Sequence, residues 1–254
     1  VKRLPSLTIF FPAYNDAPAL PSLIEQAFEQ GELCAADLEV VVIDDASQDE
    51  TPQVLARLRE RFGPRLRVIR HEQNRGYGGA LRSGFLAASK EYVFYTDGDG
   101  QYDLRDLPRL VERMAPGVGL VNGFKTSRQD AWYRVVLGEI YLFATRHLFW
   151  LRIHDVDCDF RLIRREVLEQ IELTSLSGAI CVELVRRIQS TGCGVVEVPV
   201  RHLPRLHGRS QFFRLRNLWN MMVDVGRLFL VLMVLGEGRP ARRRWPVAVS
   251  ERGK

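Results

Sequence analysis

The feature that most constrains this chain is the alternation in its first half. Short uninterrupted apolar runs are followed, one after another, by segments of helical period. The apolar runs lie at residues 7–11, 38–43, 66–69, 92–95 and 118–121. Between them, residues 19–30, 50–62, 80–88 and 104–114 repeat apolar side chains at intervals of three and four, the spacing of one helix face. Pro12, Gly31 and the Gly63-Pro64 pair punctuate the segments, and Asp49 stands where a helix N-cap is expected. Strands that alternate with helices imply βαβ units with right-handed crossovers and a mostly parallel sheet. Runs that are apolar throughout, rather than at every second position, imply that helices cover both faces of that sheet.

In such a sheet, ligands bind beyond the carboxyl ends of the strands. Three predicted strand ends carry polar residues: Pro12-Ala13-Tyr14-Asn15-Asp16, Asp44-Asp45-Ala46-Ser47 and Thr96-Asp97-Gly98-Asp99-Gly100-Gln101. The fold therefore predicts that these loops line one crevice. Asp97 and Asp99 flank a single glycine, and two carboxylates held together on a turn attract a hard divalent cation, with Gln101 as a neutral third ligand. The alternative is an Asx-type turn without metal. Asp45 can accept from a nucleobase N–H or a ribose hydroxyl, or it can cap the next helix. Asn74-Arg75-Gly76-Tyr77-Gly78-Gly79 is similar to a phosphate-cradling loop but lacks the Walker lysine. Arg75 can face a nucleotide from it, or the glycines can serve a tight helix start.

The second half is less regular. Residues 132–151 are helical and aromatic-rich, 160–163 and 195–200 read as strands, and 167–171 and 180–189 as helices. A long helix runs from 211 to about 235, ahead of a tail holding Arg242-Arg243-Arg244. This divides the chain into one domain over 1–210 and an amphipathic helix with a basic tail over 211–254.

Composition excludes several classes. The 254 residues, 46% hydrophobic and 26% charged, suffice for one core and rule out wholesale disorder. The four cysteines form no C-x-x-C pair, so a disulfide framework or structural zinc is not expected, and a reducing cytoplasm is. No leader pattern and no apolar run of spanning length is expected, which leaves a peripheral position at the cytoplasmic face as the form of any membrane contact. A net charge of +5 suits an anionic ligand or anionic lipid surface, and no nucleic-acid motif accompanies it.

The ordered set Pro12-Ala13-Tyr14-Asn15-Asp16, Val42-Ile43-Asp44-Asp45-Ala46-Ser47, Asn74-Arg75-Gly76 and Asp97-Gly98-Asp99-Gly100-Gln101 resembles the inverting glycosyltransferases of family 2. Asp157-Cys158-Asp159-Phe160-Arg161, Val198-Pro199-Val200 and Arg205-Leu206-His207-Gly208-Arg209-Ser210 extend the resemblance, which runs from Leu7 to Ser210. The subgroup it resembles is the dolichol-phosphate mannosyltransferase-like, polyprenyl-phosphate branch. The resemblance implies a GT-A type α/β fold, with a Rossmann-like, mostly parallel sheet, helices on both faces and a C-terminal helical appendage. It also implies a UDP- or GDP-hexose donor, a Mg²⁺ or Mn²⁺ ion and a polyprenyl (dolichyl or undecaprenyl) phosphate acceptor.

Carried over residue by residue, Pro12, Tyr14 and Asp16 line the nucleotide site, with Asp16 where the family usually has Glu. Ile43 and Asp45 meet the nucleoside, and Arg75 faces the donor. Asp97, Gly98 and Asp99 form the diphosphate loop, and Asp97, Asp99 and Gln101 the metal set. Lys125 stands where Arg is usual, Arg205 contacts phosphate, and Gln211 occupies the place of a second basic residue that Arg209 can replace. Asp157 or Asp159, with Arg161, falls at the acceptor. A hydroxyl acceptor requires a general base there, whereas a phosphate monoester, already anionic, does not.

The alternatives are a soluble glycosyltransferase acting on a small hydroxyl acceptor and a catalytically silent nucleotide-sugar-binding protein. The polar stripe Asn217, Asn220, Asp224 and Arg227 makes the last helix amphipathic. Trp132, Tyr133, Tyr141, Phe143, Phe149 and Trp150 supply aromatics for a membrane interface or, equally, for core packing.

Overall fold

The computed structural model describes residues 2–126, 132–204 and 215–236, apart from the side chains of 132–137 and 215–220. Among these residues there are seven strands: β1 (Leu4–Ala13), β2 (Ala35–Asp44), β3 (Leu66–Arg70), β4 (Tyr92–Thr96), β5 (Val118–Lys125), β6 (Phe160–Arg164) and β7 (Gly194–Val200). They form one sheet in the order β3-β2-β1-β4-β6-β5-β7. Every pairing is parallel except the two made by β6, which runs antiparallel to both β4 and β5. The expected mostly parallel α/β fold is therefore present, and all five apolar runs of the first half are strands.

Alternate residues along each strand enter opposite layers, as a pleated sheet requires. Ile9, Phe11, Val40, Val42, Phe94 and Leu162 join one buried cluster with helices α1 (Leu20–Cys34), α2 (Thr51–Phe62) and α4 (Leu107–Arg113). Phe10, Val41, Ile43, Val93, Tyr95 and Ile163 join the other, under α3 (Gly76–Ala87), α7 (Ile180–Ser190) and α8 (Leu215–Phe229). Helices thus cover both faces. The remaining helices are α5 (Trp132–Leu148) and the single turn α6 (Arg165–Leu168).

Several boundaries differ from the sequence reading: β1 runs through Pro12 to Ala13, β2 begins at Ala35, and the helix expected at 167–171 is the single turn Arg165–Leu168. Helix α1 continues through Gly31, which is buried within it, to Cys34. Asp49 is not the N-cap residue of α2, yet its carboxylate accepts from Thr51 N (2.9 Å) and so still satisfies a first-turn amide. Helix α3 begins at Gly76, so the glycine loop is its opening turn.

Helix α8 ends in a π-helical turn, Leu230–Val234. It docks through Met221, Val225, Leu228 and Leu232, while Met222, Val223, Leu230, Val234 and Leu235 face outward. Phe149 is buried against Phe229, whereas Phe143 and Trp150 are exposed. No helix among the described residues is long and apolar enough to cross a membrane. All four cysteines are buried and unpaired.

Glu183 on α7, fully buried, holds the segment before that helix. Its carboxylate accepts from Thr174 N (3.0 Å), Thr174 Oγ1 (3.0 Å), Ser175 N (2.8 Å) and Arg187 Nε (2.9 Å). These donors outweigh burial and lower its pKa, so its contribution to stability is present at neutral pH and lost as pH falls through the lowered value. Glu183→Gln is expected to destabilise the fold by about 1–3 kcal/mol at pH 7. In urea denaturation the difference from the unaltered protein should shrink on acidification.

Candidate active site

The three polar loops meet at the carboxyl ends of β1, β2 and β4, and hydrogen bonds tie them together. Asp45 N donates to Ala13 O (2.9 Å) and Gly98 N to Pro12 O (3.2 Å). Asn15 N donates to Ser47 Oγ (3.0 Å), and Asn15 Oδ1 accepts from Gln48 N (2.8 Å) and Asp49 N (3.3 Å). Asp16 N donates to Thr51 Oγ1 (3.1 Å), and the Asp16 carboxylate accepts from Tyr14 N (2.9 Å). Asn15 and Ala46 adopt φ of 59° and 62°, a region that costs a side-chain-bearing residue about 1 kcal/mol or more. At Gly98 a β-carbon would lie 2.6 Å from Pro12 O, so only glycine lets the acidic turn approach β1 this closely.

The antiparallel direction of β6 completes the crevice. Its register pairs Thr96 with Phe160, so the chain enters β6 where β4 leaves the sheet, beside Asp97. The 155–159 loop lies there for that reason. Asp159 Oδ1 accepts from Tyr95 Oη (3.2 Å) and Cys181 Sγ (3.2 Å) and lies 3.4 Å from Arg161 Nη1. The Arg161 guanidinium is fully buried and bonds Asn122 Oδ1 (2.7 Å), Tyr95 Oη and the Val156 carbonyl. It is thus enclosed by protein instead of lining the acceptor side, and it reaches the crevice through Asp159.

Asp157 is half-buried, and its carboxylate makes no hydrogen bond among the described residues. Burial, opposed by Lys125 and reinforced by Asp155 and Asp159, raises its pKa to about 7. Asp155 shapes the loop: it accepts from Asp157 N (3.1 Å) and Lys125 N (3.3 Å), while Lys125 Nζ donates to Asp157 O (3.0 Å).

Burial, then the carboxylates of Asp159 and Asp99, push Asp97 well above the usual carboxylate range. Asp97, Asp99 and Asp159 thus crowd carboxyl oxygens into the crevice, and oxygen is the donor type a hard divalent cation prefers; Asp97, Asp99 and Gln101 are the residues that could hold one. Asp99 Oδ1 accepts from Gln101 N (3.0 Å). The strip after β7 borders this turn: Leu203 N donates to Gln101 O (2.7 Å), and the rings of Tyr102 and His202 meet edge to face.

Other assigned residues are placed differently. Ile43 is fully buried in the core, so its side chain packs and does not line the crevice. The opening turn of α3 is no phosphate cradle: Gly78 N donates to Leu176 O (2.8 Å), and a β-carbon there would lie 2.7 Å from Leu176 Cα. The glycines serve this close approach of the 174–177 segment. Arg75 N donates to Asp45 Oδ1 (2.8 Å), and its side chain is exposed. Arg205, Gln211 and Arg209 lie outside the described residues.

Four residues that the sequence reading did not single out belong to the site. Tyr77 donates its hydroxyl to Asp97 Oδ1 (2.7 Å), Tyr95 bridges Arg161 to Asp159, Cys181 bonds Asp159, and His71 bonds Asp45 (2.6 Å). Only Tyr77 had a signal, its place inside the glycine loop.

Residues 8–172 match the sequence model of the family described as Glycosyl transferase family 2. An undecaprenyl-phosphate 4-deoxy-4-formamido-L-arabinose transferase of Pseudomonas aeruginosa is 27% identical over 86% of this chain and 63% of the relative. The protein of the same name from Enterobacter sp. is 25% identical over 89% of this chain and 68% of the relative. The chain thus spans somewhat less than two thirds of the Pseudomonas relative. Among solved structures, glucosyl-3-phosphoglycerate synthase from Mycobacterium tuberculosis with Mn²⁺, UDP and glucosyl-3-phosphoglycerate has a TM-score of 0.67 at 20% identity, over 96% of this chain and 88% of that one. A mannosyltransferase from Pyrobaculum calidifontis with GDP-mannose and Mn²⁺ has a TM-score of 0.62 at 25% identity, over 89% of this chain and 67% of that one. The GT-A fold expected from the resemblance is shared with both.

The raised pKa of Asp157 has a consequence for stability. Between about pH 4 and pH 7 the unfolded chain gives up this proton and the folded chain keeps it, so stability falls as pH rises through that window. Asp157→Asn is expected to escape this loss. Its thermal midpoint should exceed that of the unaltered protein above pH 7, and the difference should vanish near pH 4.

Proposed function

The chain belongs to glycosyl transferase family 2, and from that premise we propose that it transfers a hexose from a UDP- or GDP-sugar to a polyprenyl phosphate with inversion. The observation that carries the reading is the meeting of the three strand-end loops with the 155–159 loop around Asp97 and Asp99. A nucleoside fits against Tyr14, Asp16 and Asp45, and the diphosphate against the Asp97-Gly98-Asp99 turn. Bound Mg²⁺ or Mn²⁺ would neutralise charge on the departing diphosphate. The relatives named above act on undecaprenyl phosphate, and the named structures hold Mn²⁺ with a uridine or guanosine nucleotide, which supports donor, ion and acceptor alike.

In the displacement an acceptor oxygen forms the new bond to the anomeric carbon as the bond to the diphosphate breaks. A phosphate acceptor needs only orientation, for which Lys125 and, by resemblance, Arg205 supply positive charge. Arg161 keeps Asp159 in place. The raised pKa of Asp157 favours a second reading, a small hydroxyl acceptor, because a carboxylate that titrates near neutrality suits a general base. A catalytically silent binding protein would share the nucleotide site and lack transfer.

The outward apolar residues of α8, with Ile140, Phe143 and Trp150 around α5, support docking on a membrane surface that carries the acceptor. Arginines flank α8 in sequence, at Arg214 and Arg216 before its middle and Arg242–Arg244 beyond its end, and they suit anionic headgroups. The reading places the protein at the cytoplasmic face, with residues 1–210 as the catalytic unit and 211–254 as the contact segment.

Thermal-shift titration should show stabilisation by a nucleoside diphosphate with Mn²⁺ that EDTA removes and Asp99→Ala abolishes, with little change in the melting of the free protein. Stabilisation unchanged in Asp99→Ala would remove the metal role.

Transfer assays separate the acceptors. Asp157→Asn is expected to keep transfer to undecaprenyl phosphate within a few fold, whereas for a hydroxyl acceptor the rate should fall about 10²–10⁴-fold. Product with neither acceptor would leave only the binding protein.

In sedimentation with anionic liposomes, Leu230→Glu and Val234→Glu should each weaken binding about tenfold. A protein that stays in the supernatant before any substitution would remove the membrane reading.

A further inference from the structure

His71, just beyond β3, has no place in the proposed reaction, yet it is 5% exposed and sits directly behind Asp45, itself 3% exposed. Its Nδ1 lies 2.6 Å from Asp45 Oδ1, and its Nε2 lies 2.8 Å from Ser83 Oγ on α3. Asp45 Oδ1 also accepts from Arg75 N (2.8 Å), and Asn74 Nδ2 donates to Asp45 O (3.2 Å). The second carboxylate oxygen, Oδ2, has no hydrogen-bond partner among the described residues.

A carboxylate has no hydrogen to offer, so Oδ1 can only accept, from Arg75 N and from the His71 ring alike. The hydrogen between His71 and Asp45 must then sit on Nδ1. In the neutral imidazole, Nε2 becomes the acceptor and the Ser83 hydroxyl its donor. A doubly protonated ring would present Asp45 with the same Nδ1–H. In either state Oδ2 is left as a fixed acceptor at a strand end where the proposed function puts the nucleoside.

We propose that His71, braced by Ser83, is a positioning residue that locks Asp45 as an acceptor and thereby selects donors whose base carries a proton on its Watson–Crick ring nitrogen. Uracil, thymine and guanine meet that condition. Cytosine and adenine set a bare ring nitrogen lone pair against the carboxylate oxygen, and a buried mismatch of this kind is what gives a polar site its discrimination. The inference rests on the nucleotide-sugar reading and adds to it a class of base and the residue that enforces it.

The test measures Kd for UDP, GDP and CDP with Mn²⁺ by calorimetry. The proteins compared are the unaltered chain, His71→Ala, His71→Asn, Ser83→Ala, Asp45→Asn and the Asp45→Asn, His71→Ala double variant. The unaltered protein is expected to prefer UDP or GDP over CDP. His71→Ala should erode that preference about tenfold, the worth of one hydrogen bond to a charged group. It should raise the donor KM with little change in kcat. His71→Asn keeps an N–H donor and should retain most of the preference, and Ser83→Ala should lose part of it. On the Asp45→Asn background, His71→Ala should change nothing further, a result that general damage to packing would not give.

An unchanged preference in His71→Ala overturns the proposal, as does an equal loss on the Asp45→Asn background. Should His71→Ala fail to fold, an unchanged preference in Ser83→Ala overturns it instead. If the unaltered protein binds none of the three nucleotides, the nucleotide-sugar reading itself fails. Binding of UDP and CDP alike sinks this inference and leaves that reading intact.

Discussion

A charged guanidinium with no access to water has to be paired on every side, and the Arg161 site is built around that requirement. The pairing register sets Tyr95 of β4, Arg161 of β6 and Asn122 of β5 side by side across three adjacent strands. Arg161 bonds both neighbours and the Val156 carbonyl, and it lies 3.4 Å from Asp159. One side chain therefore joins the parallel strands, the antiparallel strand between them and the acidic loop that precedes it. Loss of this strut would strand a cluster of buried polar groups, so the position of Asp159 and the integrity of the sheet centre depend on the same bonds.

Two carboxylates show how environment separates support from chemistry. Glu183, fully enclosed, receives amide, hydroxyl and guanidinium donors, and its acidity increases. Asp157 receives no hydrogen bond on its carboxylate among the described residues, and burial, reinforced by Asp155 and Asp159 against Lys125, lowers its acidity. The first is a structural brace, while the perturbed acidity of the second suits the acceptor-side place proposed for it. Asp97 extends the contrast, because its carboxyl is raised by burial and by Asp159 and Asp99 although Tyr77 donates to it.

Much of this was legible in the sequence, for physical reasons that also explain the rest. The parallel strands were visible as apolar runs closed by polar residues, and the convergence of Pro12, Asp45 and Asp97 followed from their places at strand ends. The reversed direction of β6 was not visible, since a five-residue strand pattern looks the same in either sense. Ile43 and Arg161 lie in motifs that resemble binding sites, but burial is a property of the packed sheet and not of the motif. The start of α3 was hidden because glycine disfavours helix in isolation, while here the Leu176 backbone requires glycine at Gly78. His71 and Cys181 are single residues without periodicity, and their partners lie 26 and 22 positions away in the chain.

The contact between Leu176 and α3 bears on how the protein meets an anion. In many nucleotide-binding folds idle amides at a helix start neutralise phosphate. Here the amides of Arg75, Gly76 and Gly78 are already taken by Asp45, Asn74 and Leu176. Countercharge for a bound phosphate would come instead from side chains and from dissolved cations, and the cations exchange with the surroundings as backbone amides do not. Retention of a phosphorylated ligand would then follow the ionic make-up of the medium more closely than in proteins whose anion socket is covalently part of the chain.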